Sequence, residues 1–133
     1  MCISVDNSFK VKMNAKQEGI GYKVMEKRKG KYYSDNVDTL KSRPMNRWLK
    51  SKKYSYWSGN MENDFGWHLF PRLVDAKRYF DGEWHGEDVT VVILEVKFQG
   101  LISQGFWEFD ANMRNIVVKK MLIVKEIKSK VTK

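Results

Sequence analysis

The chain of 133 residues is 42% hydrophobic and 14% aromatic, which is enough apolar material for one folded core and excludes global disorder. Its 25 Lys and Arg residues outnumber its 16 Asp and Glu residues, and the net charge of +9 is typical of proteins attracted to phosphates or acidic surfaces. No apolar run reaches the roughly 18–20 residues of a membrane span, no secretory signal is visible, and the single cysteine, Cys2, excludes an internal disulfide. We therefore predict one soluble, cytoplasmic domain over residues 1–133, with no membrane partner.

Alternating apolar residues predict strands in the first third of the chain. Residues 9–13 (FKVKM) alternate apolar with basic side chains, and residues 19–26 (GIGYKVME) repeat the alternation. Gly30 predicts a turn that leads into a short aromatic strand. Residues 43–53 (RPMNRWLKSKK) predict a short helix, and the Ser, Gly and Asn residues of 54–64 predict a loop.

The middle of the chain carries the clearest helix signal. Residues 65–70 (FGWHLF) predict a buried strand, and Pro71 suits the first position of a helix because its missing N–H would be unpaired there. Asp81 and Gly82 predict the helix end. Three apolar residues share one helical face: Leu73, Ala76 and Phe80.

Two further segments complete the predicted sheet. Residues 89–98 (VTVVILEVKF) predict a central strand that is covered on both faces at its start, and a short strand follows between Gly100 and Gly105. Residues 116–127 predict a long terminal strand, bent near Lys119 and Lys120, and residues 129–133 a frayed tail. The sum is an α+β fold: a mixed, mostly antiparallel sheet of about six strands with one or two helices packed on it.

Charge is distributed unevenly along the chain. Residues 1–60 hold fourteen basic and five acidic side chains, residues 61–115 five and ten, and residues 116–133 six and one. The acidic middle argues against a protein that coats DNA on all sides. It permits a two-faced molecule, or a homo-oligomer in which opposite patches meet.

The strongest binding signal is the segment from Lys41 to Trp57, which has no acidic residue and interleaves cations with aromatic rings. A helix starting near Pro44 would place Arg43, Arg47 and Lys50 near one face. The alternative is a solvated basic loop whose rings plug the edge of the core. The predicted binding residues here are Arg43, Arg47, Trp48, Lys50, Lys52, Lys53, Tyr54, Tyr56 and Trp57, and a second cluster of Lys27, Arg28 and Lys29 would extend the same surface.

No motif predicts catalysis. The chain has no CxxC or HExxH for zinc, no GxSxG nucleophile and no Walker or GxGxxG loop, so we predict no metal, no cofactor and no catalytic residue. His68, inside an apolar strand, has two interpretations that stay open. It is either a buried imidazole bonded to a backbone carbonyl or a ligand-binding residue, and we include it among the candidate binding residues.

The order of these features resembles two known groups. A strand GYKVME, a strand GWHLF, a helix VDAKRYF and a strand VTVVILEV resemble small uncharacterised bacteriophage proteins that begin Met-Cys and carry a Gly-aromatic-His strand before an Ala-containing helix. The same order is similar to the ADP-ribosyltransferase-like fold, whose first strand carries a His or Arg that holds NAD. Tyr22 and Lys23 occupy that position here.

These resemblances and the charge pattern lead to one functional hypothesis and two alternatives. We expect a non-enzymatic phage or mobile-element protein that binds an anionic partner, which is a nucleic acid, a nucleotide or an acidic protein face. The phage resemblance implies inhibition of host defence such as CRISPR. The alternatives are a nucleotide-processing enzyme with a transferase-like cleft around Tyr22, His68 and Tyr79, and a structural or assembly component.

Overall fold

The computed structural model describes residues 3–34, 41–51, 66–82, 86–107 and 110–132. These residues form one helix and eight strands, and the strand pairings among them are all antiparallel. The predicted α+β fold is confirmed, with more strands than the six expected. In chain order the elements are β1 (Ile3–Val5), β2 (Glu18–Arg28), β3 (Lys31–Tyr33), β4 (Ser42–Arg43), β5 (Trp48–Lys50), β6 (Trp67–Leu69), α1 (Leu73–Gly82), β7 (Thr90–Trp107) and β8 (Asp110–Val131).

Two long strands, β7 and β8, form the centre of the sheet. The strand order is β4-β3-β2-β7-β8-β5, with β1 also paired to β7 and β6 also paired to β8. The β2–β3 hairpin turns at Lys29 and Gly30, which both have positive φ (51° and 76°), as a two-residue hairpin turn requires. The predicted turn and the short aromatic strand after it are therefore confirmed.

A single strand, β7, replaces the two strands expected over residues 89–105. Gly100 adopts a φ of +78°, and the side chain of Lys119 on β8 lies over the position that a Cβ of Gly100 would take. Both Phe98 and Leu101 contact the same apolar cluster, although they are three residues apart, so the face alternation changes phase at this glycine. The glycine thus bends the strand instead of ending it.

The segment 9–13 is not a strand, which corrects the sequence prediction. Phe9 and Val11 are buried as the alternation predicted, but the segment has no ladder of its own. Phe9 O instead accepts a hydrogen bond from the side chain of Gln104 on β7. The apolar alternation therefore predicted the burial of Phe9 and Val11 but not the absence of a strand.

The helix predicted over residues 43–53 is also wrong in the described part of that segment, where β4 and β5 stand instead. These two strands lie at opposite ends of the strand order, where β4 pairs with β3 and β5 pairs with β8. Asn46, between them in the chain, adopts a positive φ of 58°. Leu49 faces the core, whereas Trp48 and Lys50 face outward, which is the alternation of a strand. Pairing with β3 and β8 overrides the helix propensity of this short segment.

The sheet curls strongly. Arg43 on β4 is three positions before Asn46, whose N–H donates to Ile123 O of β8 at 2.9 Å. Three residues span at most about 10 Å, whereas β4 and β8 would lie about 19 Å apart in a flat sheet of this order. Phe70, just after β6, also exchanges two 2.8 Å backbone bonds with Tyr22 of β2. The sheet is therefore a trough with an inner and an outer face, and β6 links its two sides.

Each face of the trough carries an apolar cluster. The inner cluster holds fully buried side chains from β2, β6, β7 and β8, including Met25, Leu69, Leu94 and Met121. The outer cluster packs α1 against the first half of β7, where Val91 and Ile93 meet Phe80. The start of β7 is covered on both faces, as its continuous apolar sequence predicted.

The helix α1 ends at Gly82 as predicted, but it begins at Leu73, so Pro71 lies two residues before its first position. Arg72 O accepts the first backbone bonds of the helix, from Asp75 N and Ala76 N. Of the helical face that the sequence predicted, Ala76 and Phe80 lie in the outer cluster and Leu73 packs against it. In the described residues, no helix has the length and apolar character needed to cross a membrane.

The end of the chain differs from the frayed tail that the sequence predicts. Ser129 pairs with Val92 inside β8, and Thr132 N donates to Val89 O at 2.9 Å. The Thr132 hydroxyl also donates to Gly86 O. These bonds tie residues 129–132 to the start of β7.

Candidate anion-binding surface

The structure separates the predicted binding residues into three groups. Lys52, Lys53, Tyr54, Tyr56 and Trp57 lie outside the described residues. Arg47, Trp48 and Lys50 are exposed. The remaining residues, Arg43, His68 and the Lys27–Lys29 cluster, lie elsewhere in the fold.

The structure corrects the prediction that Arg43 faces a partner, because this residue is only 6% exposed. It pairs with Tyr32 of the inner cluster and therefore faces inward. Its guanidinium donates to Lys41 O and lies 5.3 Å from the ring centroid of Trp67. A guanidinium held in this way stabilises the closure of the trough and does not face an external partner.

The cluster Lys27, Arg28 and Lys29 does not extend the surface of Trp48 and Lys50. It lies at the hairpin end of β2, whereas β5 is level with Ile20 at the opposite end of that strand. The seven residues from Ile20 to Lys27 correspond to about 23 Å of extended strand. Lys27 is also paired with Glu126 at 2.8 Å, and Arg28 lies 3.9 Å from the ring centroid of Tyr33.

Two residues of the enzyme alternative, Tyr22 and Tyr79, pack in or against the outer cluster. Tyr79 is buried in the outer cluster, with its ring 5.3 Å from that of Phe70 and 5.6 Å from that of Trp107. His68 is half-buried on β6, and its backbone oxygen accepts a 3.0 Å bond from Lys23 Nζ. Tyr22 pairs with Phe70, so the aromatic rings here serve packing.

A different set of residues shares the outer face beyond the outer cluster, where β5 joins β8, β7 and β2. Leu49 on β5, Met121 on β8 and Phe98 on β7 point into the inner cluster. Because side chains alternate along a strand, the residues next to each of them point outward. We call this surface the open face and define it by seven residues: Ile20, Trp48, Lys50, Lys97, Lys119, Lys120 and Leu122.

Two rows of cross-strand neighbours define the geometry of the open face. Ile20, Lys97, Leu122 and Trp48 form one row, in register across four strands. In the second row Lys50 lies directly opposite Lys120. Neighbours of this kind have Cβ atoms about 4.5–5.5 Å apart, and like charges at that position destabilise the sheet.

Of the four lysines of the open face, three are exposed and Lys120 is half-buried. Lys50, Lys97 and Lys119 are exposed, and within the described part of the chain they form no ion pair. Trp48 and Ile20 are 39% and 46% exposed. Two carboxylates border this surface on the same face: Glu18, which Gln99 separates from Lys120, and Glu95, two residues before Lys97 on β7. The surface therefore combines positive charge with exposed apolar area.

Sequence reasoning found only part of this surface. Trp48 and Lys50 belonged to the predicted segment, whereas Lys97, Lys119 and Lys120 did not. The excess of six basic over one acidic residue in 116–133 was the available signal for β8. The strand register that brings β8 beside β5 is not visible in the sequence.

A polar network at the hairpin end of the inner face is built around Glu126. Its carboxylate pairs with Lys27 Nζ at 2.8 Å and accepts a 2.9 Å bond from the Tyr32 hydroxyl. The bond from Lys27, with that from Tyr32, holds the pKa of Glu126 below its ordinary value, although partial burial opposes this. Burial and then the bond to Glu126 raise the pKa of Tyr32.

We expect Glu126→Gln to lower the free energy of unfolding by about 1 kcal/mol at pH 7, since the side chain is 30% exposed and its bonds are partly screened. A carboxyl group whose pKa is lowered by folding stabilises above its unfolded pKa, and this stabilisation is lost as the pH falls through the folded value. The difference between wild type and variant should therefore shrink below pH 4.5. Urea unfolding at several pH values measures it, and a difference unchanged at low pH would contradict the network.

The chain matches no protein-family model, no curated protein and no solved structure at a significant level. The phage and transferase resemblances therefore stay predictions. Among the described residues no group of three His, Cys, Asp or Glu side chains could hold a metal ion. Cys2 and His85, the other soft ligands in the sequence, lie outside that part of the chain.

Proposed function

We propose that the chain is a non-enzymatic binding protein that holds an anionic partner on the open face. The observation that carries the proposal is the like-charge pair of Lys50 and Lys120, beside the exposed ring of Trp48. Two like charges directly opposite each other lower the stability of the sheet when no counter-ion lies between them. A bound anion between the two ammonium groups would offset this repulsion.

The neighbouring residues support an extended anion over a single small one. Lys97 lies in the adjacent row, and Lys119 lies beside Lys120 where the alternation changes phase. Arg47 is exposed next to Trp48. Cations spread over three strands suit a chain of phosphates or carboxylates, because each contact releases counter-ions from the polymer.

The double variant Lys50→Gln/Lys120→Gln tests the proposal. We expect binding to weaken by about 10-fold at about 0.1 M salt, and the slope of log affinity against log salt to fall by about 1.5. Fluorescence anisotropy with single-stranded DNA, duplex DNA and polyglutamate measures both. The thermal midpoint should stay equal or rise, because the variant removes a repulsive pair.

A matched control is Lys31→Gln/Lys77→Gln, which removes the same charge from exposed positions on the β3 hairpin and on α1. It should leave affinity and salt slope nearly unchanged. The proposal fails if the two double variants bind alike, or if wild type binds none of the three polyanions. Inhibition of host defence stays a prediction from the resemblance.

A further inference from the structure

We infer that the partner of the open face is single-stranded nucleic acid, with a base stacked on Trp48 and phosphates on the flanking lysines. This inference rests on the proposed function and names its ligand. The surface has two requirements for a ligand, which are negative charge and a flat apolar face. Unpaired nucleotides supply both in every repeat unit.

The environment of Trp48 distinguishes it from the two other described tryptophans. Trp67 is half-buried and donates its indole N–H to Leu49 O at 2.9 Å, and Trp107 packs against Tyr79. Trp48 is 39% exposed on the last strand of the sheet path. Its ring is thus available to a ligand, whereas the other two serve the fold.

The cations lie at suitable distances from this ring. Lys50 is two residues along β5 from Trp48 and on the same face, which is a separation of about 7 Å. Lys97 is in the same cross-strand row, with Leu122 between it and Trp48. Ammonium groups on flexible stems at these positions reach the phosphates on either side of a stacked base.

The side chains of this cross-strand row also favour single-stranded nucleic acid over a duplex or an acidic protein. Three of the four side chains in the row from Ile20 to Trp48 are apolar, and Lys97 is the one cation among them. A duplex presents phosphates and keeps its base faces stacked within, so Ile20, Leu122 and Trp48 would gain nothing from it. An acidic peptide offers charge but lacks the π-face that stacks on an indole ring.

The wild-type protein provides the first test. We expect an oligothymidylate of about 12 nucleotides to bind about 10-fold more tightly than an abasic strand with the same phosphates. It should also bind more tightly than a blunt duplex of equal length and than polyglutamate. Equal affinity for the abasic strand, or preference for duplex or polyglutamate, would overturn the inference.

Variants at Trp48 provide the second test. Trp48→Ala should lower oligothymidylate affinity by about 10-fold, to the level of the abasic strand, and leave abasic binding unchanged. Trp48→Phe should keep most of the preference, and Val74→Ala, at an exposed apolar position on α1, should keep all of it. Circular dichroism checks the fold of each variant.

The two proposals fail in different ways. If Lys50→Gln/Lys120→Gln loses binding while Trp48→Ala lowers oligothymidylate and abasic affinity equally or not at all, the anionic surface stands and the stacked base is wrong. If the lysine variant also binds normally, both are wrong.

Discussion

Gly19→Ala is expected to lower the free energy of unfolding by about 3 kcal/mol. A Cβ at this position would lie 2.4 Å from Phe98 Cζ and 2.7 Å from Lys12 O. Phe98 is fully buried in the inner cluster, and Lys12 O is a backbone atom, so neither can move cheaply. The contact packs the segment before β2 directly onto the sheet, and only a residue without a Cβ allows it.

Gly21→Ala is the matched control, two residues further along the same strand and on the same face. Its Cβ would lie 3.4 Å from Leu69 Cδ1 and from Phe70 O, at the edge of ordinary contact distance. We expect a change of less than about 1 kcal/mol, since the loss of backbone freedom in the unfolded chain favours alanine. Urea unfolding compares the two, and equal destabilisation would show that the inner face is not packed as described.

The sequence predicted the elements whose signal is local. The alternation in 19–26, the Gly30 turn and the apolar face of 73–82 each arise within a few residues, and each is present in the structure. The long apolar run after Val89 also predicted a strand buried on both faces. Such patterns report side-chain environment directly, so no knowledge of the partner strand is needed.

The elements that the sequence missed depend on distant pairing. The strands β4 and β5 have two and three residues, too few for a recognisable period, and they exist because β3 and β8 offer ladder partners. The segment 9–13 is the opposite case, in which a strand-like sequence pattern does not produce a strand. It has a strand pattern and a buried apolar face, but no strand edge pairs with it among the described residues.

The sequence predicted only part of the candidate surface, because strand pairing decides which side chains face outward. Trp48 and Lys50 carried a local signal, which is a run of cations with aromatic rings. Arg43 carried the same signal but faces inward, because pairing with Tyr32 sets its direction. The position of Lys120 opposite Lys50 is set by the register of β5 on β8. Composition located a basic region, and only the fold selected the cations that face a partner.

Arg72→Met is expected to lower the free energy of unfolding by about 3 kcal/mol. Asp75, in the first turn of α1, is fully buried, and its carboxylate is held by two bonds from Arg72, at 2.8 and 3.0 Å. Arg72 also donates to Asn112 O at 3.2 Å, which ties the helix start to β8. Removing the cation leaves a carboxylate away from water without its partner, and such a charge costs several kcal/mol.

The reverse change should cost less, because Arg72 is 40% exposed and can be hydrated when Asp75 is replaced. We expect Asp75→Leu to destabilise by about 1–2 kcal/mol, and Arg72→Met/Asp75→Leu to be more stable than Arg72→Met alone. Thermal or urea unfolding of the three variants forms a double-mutant cycle. If Arg72→Met were no worse than Asp75→Leu, the ion pair would not be what anchors α1 on the outer face, and apolar packing of Phe80 and Ala76 would have to do so alone.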